Sequence, residues 1–252
     1  MIVYLTGGDP DPKAFLANCA ALIEGGADIV EVGIPFSDPI ADGPVIQASS
    51  MRALSQGTTP TGVLDLIGEL SSQFPVPFVL LSYYNPILSM GLDPFLKKAR
   101  ESGVDGIVVP DLPVEESDEF RNMALKHNVD NIYLAAPNTS RTRLRTILDK
   151  SKGFLYLVSL YGVTGPRDLL SPQALEAVKK VKSLARGKIP VSAGFGVSQP
   201  EHVSAIIRSG ADGAIVGSAL VNIVSQHLES PNEAPDHLKS TVAKLKASTR
   251  KC

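Results

Sequence analysis

Eight short apolar runs recur along the chain, at residues 2–6, 29–33, 78–83, 106–110, 131–135, 154–159, 190–193 and 214–217, each followed by a longer stretch with helical spacing. The apolar residues in these runs are consecutive rather than alternating, the pattern of strands covered on both faces, as in a parallel sheet. In the first intervening stretch Phe15, Cys19, Leu22 and Ile23 keep the i, i+4, i+7, i+8 spacing of one buried helical face. Eight such strand–helix units in 252 residues predict an α/β fold, a single (β/α)8 barrel domain spanning residues 1–252. The alternative is an open doubly wound sheet, which normally carries a nucleotide fingerprint after its first strand. Thr6-Gly7-Gly8-Asp9-Pro10 stands there instead and is no such fingerprint.

The punctuation between elements is legible. Glu24-Gly25-Gly26-Ala27-Asp28, Glu101-Ser102-Gly103-Val104-Asp105 and Arg208-Ser209-Gly210-Ala211-Asp212 repeat one phrase that closes a helix with a left-handed Gly and opens a strand. Asp93-Pro94 and Ser171-Pro172 each read as an N-cap followed by Pro at the first helical position. Ser198-Gln199-Pro200-Glu201 has the form of a capping box.

Composition removes several function classes. A formal net charge of −2 gives no electrostatic footprint for nucleic acid or a membrane surface. Every apolar run is broken by Gly, Pro or charge before membrane-spanning length. Cys19 and Cys252 fit no metal or redox spacing, and the absence of a disulfide framework or signal-peptide pattern leads us to expect a cytoplasmic protein, although a plastid form whose transit peptide has been removed would look the same. His127, His202, His227 and His237 fall in or near helices and are expected on the surface, since a barrel places its chemistry at strand ends.

In a barrel, function sits on the loops that follow the strands. After the second run, Glu31-Val32-Gly33-Ile34-Pro35-Phe36-Ser37-Asp38-Pro39-Ile40-Ala41-Asp42-Gly43-Pro44 delivers one carboxylate from within an apolar strand and two from a Pro/Gly/Asp loop. Burying Glu31 ionised is costly, so a partner or a raised pKa is expected. Such a group beside a second carboxylate suits acid/base work. The same residues also fit a solvated strand-end Glu with two turn-forming aspartates. After the seventh and eighth runs, Gly194-Phe195-Gly196-Val197 and Gly217-Ser218 occupy the positions where barrels build phosphate sites from helix-start N–H groups, although each alone fits a tight turn. The loop at 160–168, with Gly162, Thr164 and Gly165, has the composition of a mobile lid, although a solvent loop of no special role fits it too. Tyr83 and Tyr156, near strand ends, suit either a pocket for a flat aromatic ligand or ordinary core packing.

The Glu31–Pro44 segment resembles the signature of the tryptophan synthase alpha subunit family. The resemblance extends to Gln47, Leu5-Thr6-Gly7-Gly8-Asp9-Pro10, Pro110-Asp111-Leu112-Pro113-Val114-Glu115-Glu116, Gly162-Val163-Thr164-Gly165, Gly194-Phe195-Gly196-Val197 and Gly217-Ser218-Ala219. It implies a lyase of tryptophan biosynthesis that splits indole-3-glycerol phosphate into indole and glyceraldehyde 3-phosphate. On the matching positions, Glu31 is implied as catalytic acid/base and Asp42 as the group that holds the indole N–H. Gly165, Gly196, Gly217 and Ser218 are implied as the phosphate cradle, and Tyr83 and Tyr156 as pocket residues. Tyr4 stands where some members have a pocket phenylalanine. Asp38, Gly162 and Thr164 are implied to face or communicate with a beta subunit in an alpha2beta2 heterotetramer. No cofactor is implied on this chain, and PLP is expected in the beta partner.

Family members usually carry a helix before the first strand, whereas here the first run opens at Ile2. Apolar surface at the bottom of the barrel is therefore expected to be exposed. Two other readings of the resemblance stay open, a stand-alone indole-releasing lyase and a non-catalytic activator of a beta subunit. A phosphate-sugar barrel of other chemistry would keep the glycine loops but leave the Glu31–Pro44 segment unexplained.

Overall fold

The computed structural model describes residues 1–158 and 170–250. Among these residues the strands are β1 (Ile2–Thr6), β2 (Ile29–Gly33), β3 (Phe78–Leu81), β4 (Val104–Val108), β5 (Asp130–Ile132), β6 (Leu134–Ala135), β7 (Leu155–Val158), β8 (Val191–Gly194) and β9 (Gly213–Val216). All pair in parallel, in the order β5-β4-β3-β2-β1-β9-β8-β7-β6. The two ends of that ladder, β5 and β6, are consecutive in the chain and separated only by Tyr133. They are one barrel strand that changes partner: Ile132 lies opposite Val108 of β4, and Leu134 opposite Tyr156 of β7. The ring closes there as the expected (β/α)8 barrel, with helices outside.

The run at 131–135 is thus one barrel strand in two segments, interrupted at Tyr133. Tyr133 turns its side chain away from the barrel axis into the outer core, where its hydroxyl lies 2.5 Å from Ser117 Oγ and accepts from Asn131 Nδ2 at 3.0 Å. The run expected at 106–110 starts two residues earlier, because the chain enters β4 directly from the left-handed turn at Gly103, φ +83°. The run expected at 78–83 ends at Leu81, and Tyr83 caps the helix Tyr84–Met90.

Two cores explain why the runs do not alternate. Ile2, Val79, Val108, Ile132, Phe154 and Ile215 fill the barrel's interior. The opposite strand faces, including Val3, Leu5, Val30, Val32, Phe78 and Leu80, pack in the larger core under the helices. At the bottom of the barrel Ile2, Ile215 and Phe154 are only 2%, 3% and 5% exposed. The expected bare apolar floor is not found, because side chains of the strands themselves seal it.

The repeated helix-to-strand phrase has one geometry. Gly26, Gly103 and Gly210 take φ of +101°, +83° and +100°. The Asp that follows each then ties down the start of a neighbouring strand. Asp105 accepts from Phe78 N at 3.1 Å, Asp212 accepts from Val191 N at 2.7 Å, and Asp28 pairs with the amino group of Met1. Ser171 caps its helix as expected, accepting from Ala174 N. Two other caps differ. The helix Leu92–Glu101 begins before Asp93, whose carboxylate instead accepts from Lys126 and contacts His127 on the next helix. Ser198 does not cap Pro200–Arg208; Gln199 holds the N-cap position without a side-chain bond, and Ser198 N donates to His202 Nδ1. His202, expected at the surface, is 2% exposed. No helix among the described residues is long and apolar enough to cross a membrane.

The helix Pro44–Ser55 is fastened to β1 and the turn after it. Arg52 forks onto Asp9, Nε to Oδ1 and Nη2 to Oδ2, both at 2.8 Å. Burial holds the Asp9 carboxyl above its ordinary pKa even against the Arg52 charge. Removing one partner of a buried pair leaves the other uncompensated, at a cost of about 3–5 kcal/mol. Arg52→Met is expected to destabilise the fold toward the lower end of that range, read as a fall in the urea midpoint; an unchanged midpoint would show that water satisfies Asp9 without Arg52.

Candidate active site

Glu31 lies in the middle of β2, between Tyr4 of β1 and Val79 of β3 in register. Alternation along the strand turns it to the barrel's interior. It is 0% exposed, and among the described residues neither carboxylate oxygen has a hydrogen-bond partner. An ionised carboxylate there would lose its hydration without compensation. Burial first, and the charge of Asp42 second, push its pKa up to about 8. Glu31 is a neutral acid at pH 7, and the solvated alternative is ruled out.

Asp42 is brought over the strand ends by the loop that joins β2 to the helix Pro44–Ser55. A buried aromatic post holds the loop: the Tyr83 hydroxyl accepts from Ala41 N at 2.9 Å, and Phe36 packs on the Tyr83 ring with centroids 5.4 Å apart. Gln47 Nε2 donates to Asp42 O at 2.8 Å, fastening the loop to the helix that follows. Burial raises the Asp42 pKa to about 6, against a hydrogen bond from Tyr83 that favours the carboxylate. The two carboxyls are therefore pushed apart, Glu31 to be protonated and Asp42 to be mostly ionised at neutral pH, the separation that lets one act as acid beside a fixed negative charge.

Tyr4 and Tyr156 share this field. Burial raises both phenols well above the ordinary range, and the carboxyls of Asp42 and Glu31 add to the rise in each. Close approach shapes the walls around them. A Cβ at Gly33 would collide with the Tyr4 hydroxyl, and a Cβ at Gly194 would lie 3.1 Å from Tyr156 Cε2.

Gly217 is the N-cap of the helix Ser218–Gln226, and Gly196 takes φ +73° in the turn after β8. The first amides of a helix have no intrahelical acceptor, so Gly217 and Ser218 head an anion-attracting terminus at the barrel's mouth. A Cβ built on Gly217 would meet Tyr4 Cβ only at 3.5 Å, an ordinary contact. Tyr4 therefore lies between the helix terminus at Gly217 and the end of β2 at Gly33.

The structure thus brings Glu31, Asp42, Tyr83, Tyr156, Gly196, Gly217 and Ser218 to the mouth of the barrel. Asp38 is on the outer turn of its loop, exposed, with Ser37 Oγ donating to it at 2.5 Å; its neighbour Ile40 is 85% exposed. Gly162, Thr164 and Gly165, with the rest of the loop expected to act as a lid, lie outside the described residues. The Asp9–Arg52 fork and a hydroxyl contact of 2.6 Å between Thr6 and Ser49 were not legible in the sequence, because each joins residues 43 positions apart.

The family described as tryptophan synthase alpha chain matches residues 1–250. A tryptophan synthase alpha chain of Methanoregula boonei is 45% identical, over 97% of this chain and 92% of its own. One from Arabidopsis thaliana is 40% identical, over 98% and 89%. Among solved structures, a Pyrococcus furiosus chain from work on mutual activation in the tryptophan synthase a2b2 complex superposes with a TM-score of 0.91 at 44% identity, covering 98% of this chain and 97% of that one.

Proposed function

The chain belongs to the tryptophan synthase alpha chain family, a lyase subunit of tryptophan biosynthesis, and we propose that it cleaves indole-3-glycerol phosphate at this site, with Glu31 and Asp42 as its catalytic residues. The observation that carries the proposal is the split pair of carboxyls, one near pKa 8 and without a hydrogen-bond partner among the described residues, the other near 6 and hydrogen-bonded.

The reaction needs a proton on the ring carbon that bears the glycerol chain. Neutral Glu31 supplies it. The ring nitrogen becomes cationic, and ionised Asp42 stabilises that charge where water is excluded. The carbon–carbon bond then breaks, its electron pair returns to the ring as indole, and the adjacent hydroxyl loses its proton as the aldehyde forms. Glu31, now a carboxylate, takes that proton and is restored. One proton is given and one regained, so the step consumes no co-reactant. Tyr83 and Tyr156 flank the ring, and N–H groups at Gly196, Gly217 and Ser218 receive the phosphate, with Gly165 as the family's further contributor.

The partner in this reading is a beta subunit in an alpha2beta2 assembly, with PLP on the beta side and none required for the chemistry on this chain. Asp38 and the exposed Ile40 present the catalytic loop's outer turn to that partner, and Gly162 and Thr164 communicate with it. In this reading it works in the cytoplasm, or in a plastid after loss of a transit peptide.

The rate of cleavage per free enzyme is expected to follow a bell in pH. It falls below about pH 6 as Asp42 is protonated and above about pH 8 as Glu31 ionises. Glu31→Gln removes proton transfer and is expected to lower turnover by about 10²–10⁴-fold, with calorimetric binding of indole-3-propyl phosphate retained; near-full turnover in that variant would remove Glu31 from its role. At Gly217 an added Cβ would meet only ordinary contacts with Tyr4, whereas a side chain there would crowd an anion held on the helix-start amides. Gly217→Val is expected to keep the melting temperature and raise KM, and a wild-type KM would move the phosphate elsewhere. Indole release is expected to rise by roughly 5–150-fold on titration with beta subunit, the usual range of coupling between two sites. A flat response from an already fast chain would make this a stand-alone lyase.

A further inference from the structure

We infer that Tyr4 is a specificity-determining residue whose hydroxyl oxygen accepts a hydrogen bond from a glycerol hydroxyl of the substrate. The inference rests on the lyase reading above and adds a subsite to it.

Three hydroxyls form a directed chain from the barrel interior to the helix Pro44–Ser55. Ser49 Oγ donates to Ile46 O at 2.8 Å. A hydroxyl has one proton, so in its 2.6 Å contact with Thr6 Oγ1 Ser49 accepts and Thr6 donates. Thr6 has then used its own proton, and in the 3.3 Å contact with Tyr4 the phenol is the donor. The backbone carbonyl of Ile46 fixes this sense at the far end, since a carbonyl can only accept. Thr6 and Ser49 are 1% and 0% exposed, so water does not compete for the chain. Tyr4 remains protonated, because burial and the carboxyls of Asp42 and Glu31 oppose its ionisation. Its proton is committed to Thr6, and the lone pairs of its oxygen are what it offers a ligand.

Its position decides which part of the ligand meets them. The ring runs from the helix terminus at Gly217, where its Cβ lies, to the end of β2 at Gly33, against which its hydroxyl rests. In register Tyr4 is directly beside Glu31. A ligand with its ring at Glu31 and Asp42 and its phosphate at Gly217 lays its glycerol along Tyr4. The donors on that segment are hydroxyls, and an acceptor-only phenol selects for them. A phenylalanine there would keep the wall and lose the selection.

The test compares two ligands that share ring and phosphate, indole-3-glycerol phosphate and indole-3-propyl phosphate, which lacks both glycerol hydroxyls. Tyr4→Phe, assayed with beta subunit present, is expected to lower kcat/KM for the first by about 3–10-fold, the worth of one neutral hydrogen bond, and to leave calorimetric Kd for the second within about twofold. Thr6→Val keeps the phenol but releases its proton, and is expected to show a smaller loss of the same selective kind. Equal losses for both ligands in Tyr4→Phe, or no loss for either, would reduce Tyr4 to a wall. A neutral Thr6→Val would mean that the hydroxyl chain does not set its direction. A wild-type chain that fails to release indole, with or without beta subunit, would sink the lyase reading itself, a result separate from either variant's.

Discussion

A parallel ladder has no unpaired edge only when its first and last strands meet, and in this chain they meet at one residue. Tyr133 ends the pairing with β4 and begins the pairing with β7, its carbonyl accepting from Tyr156 N at 3.1 Å. The outer-core bonds of its side chain to Ser117 and Asn131 hold the switch. Closure creates an interior that water does not fill, and both the apolar floor and the chemistry above it depend on that. Closure gives Glu31 an interior shared with Tyr4 and Tyr156, whereas in an open sheet it would lie under a helix or in solvent.

Within the ring, depth sorts the residues. The lower layer is hydrocarbon, with Ile2, Ile215 and Phe154 closing the barrel from inside. One layer up, Tyr4, Glu31 and Tyr156 replace hydrocarbon with groups that can hold or share a proton. The cost of burying Glu31 is met by protonation rather than by an ion pair, which keeps the proton available. An arginine beside it would have stabilised the fold locally and removed the acid. The ion pair that the structure does build, Asp9 with Arg52, joins the turn after β1 to the helix Pro44–Ser55 and fixes where the Asp42 loop must end.

The loop itself is held without secondary structure of its own. Tyr83 takes the Ala41 amide and a face of Phe36, Gln47 takes the Asp42 carbonyl, and the Thr6–Ser49 contact ties the following helix to β1. These ties come from three different elements, so Asp42 is positioned by the barrel as a whole. The exposed Ile40 on the same loop faces outward, so one short segment carries both an exposed apolar side chain and the partly buried carboxyl of Asp42.

Much of this was legible in the sequence. Eight consecutive apolar runs, three of them opened by a Gly-x-Asp phrase, pointed to strands covered on both faces and to a barrel, because period and turn chemistry are local properties. Glu31 stood out because a carboxylate in an apolar strand is costly wherever the strand lies. The tertiary structure alone decided that Glu31 has no hydrogen-bond partner among the described residues, that the charge of Asp42 reaches it, that the run at 131–135 divides at Tyr133, that His202 is buried, and that the barrel's floor is sealed. Each of these depends on which residues distant in sequence become neighbours when the ring closes, and neither burial nor a hydrogen bond exists until they do.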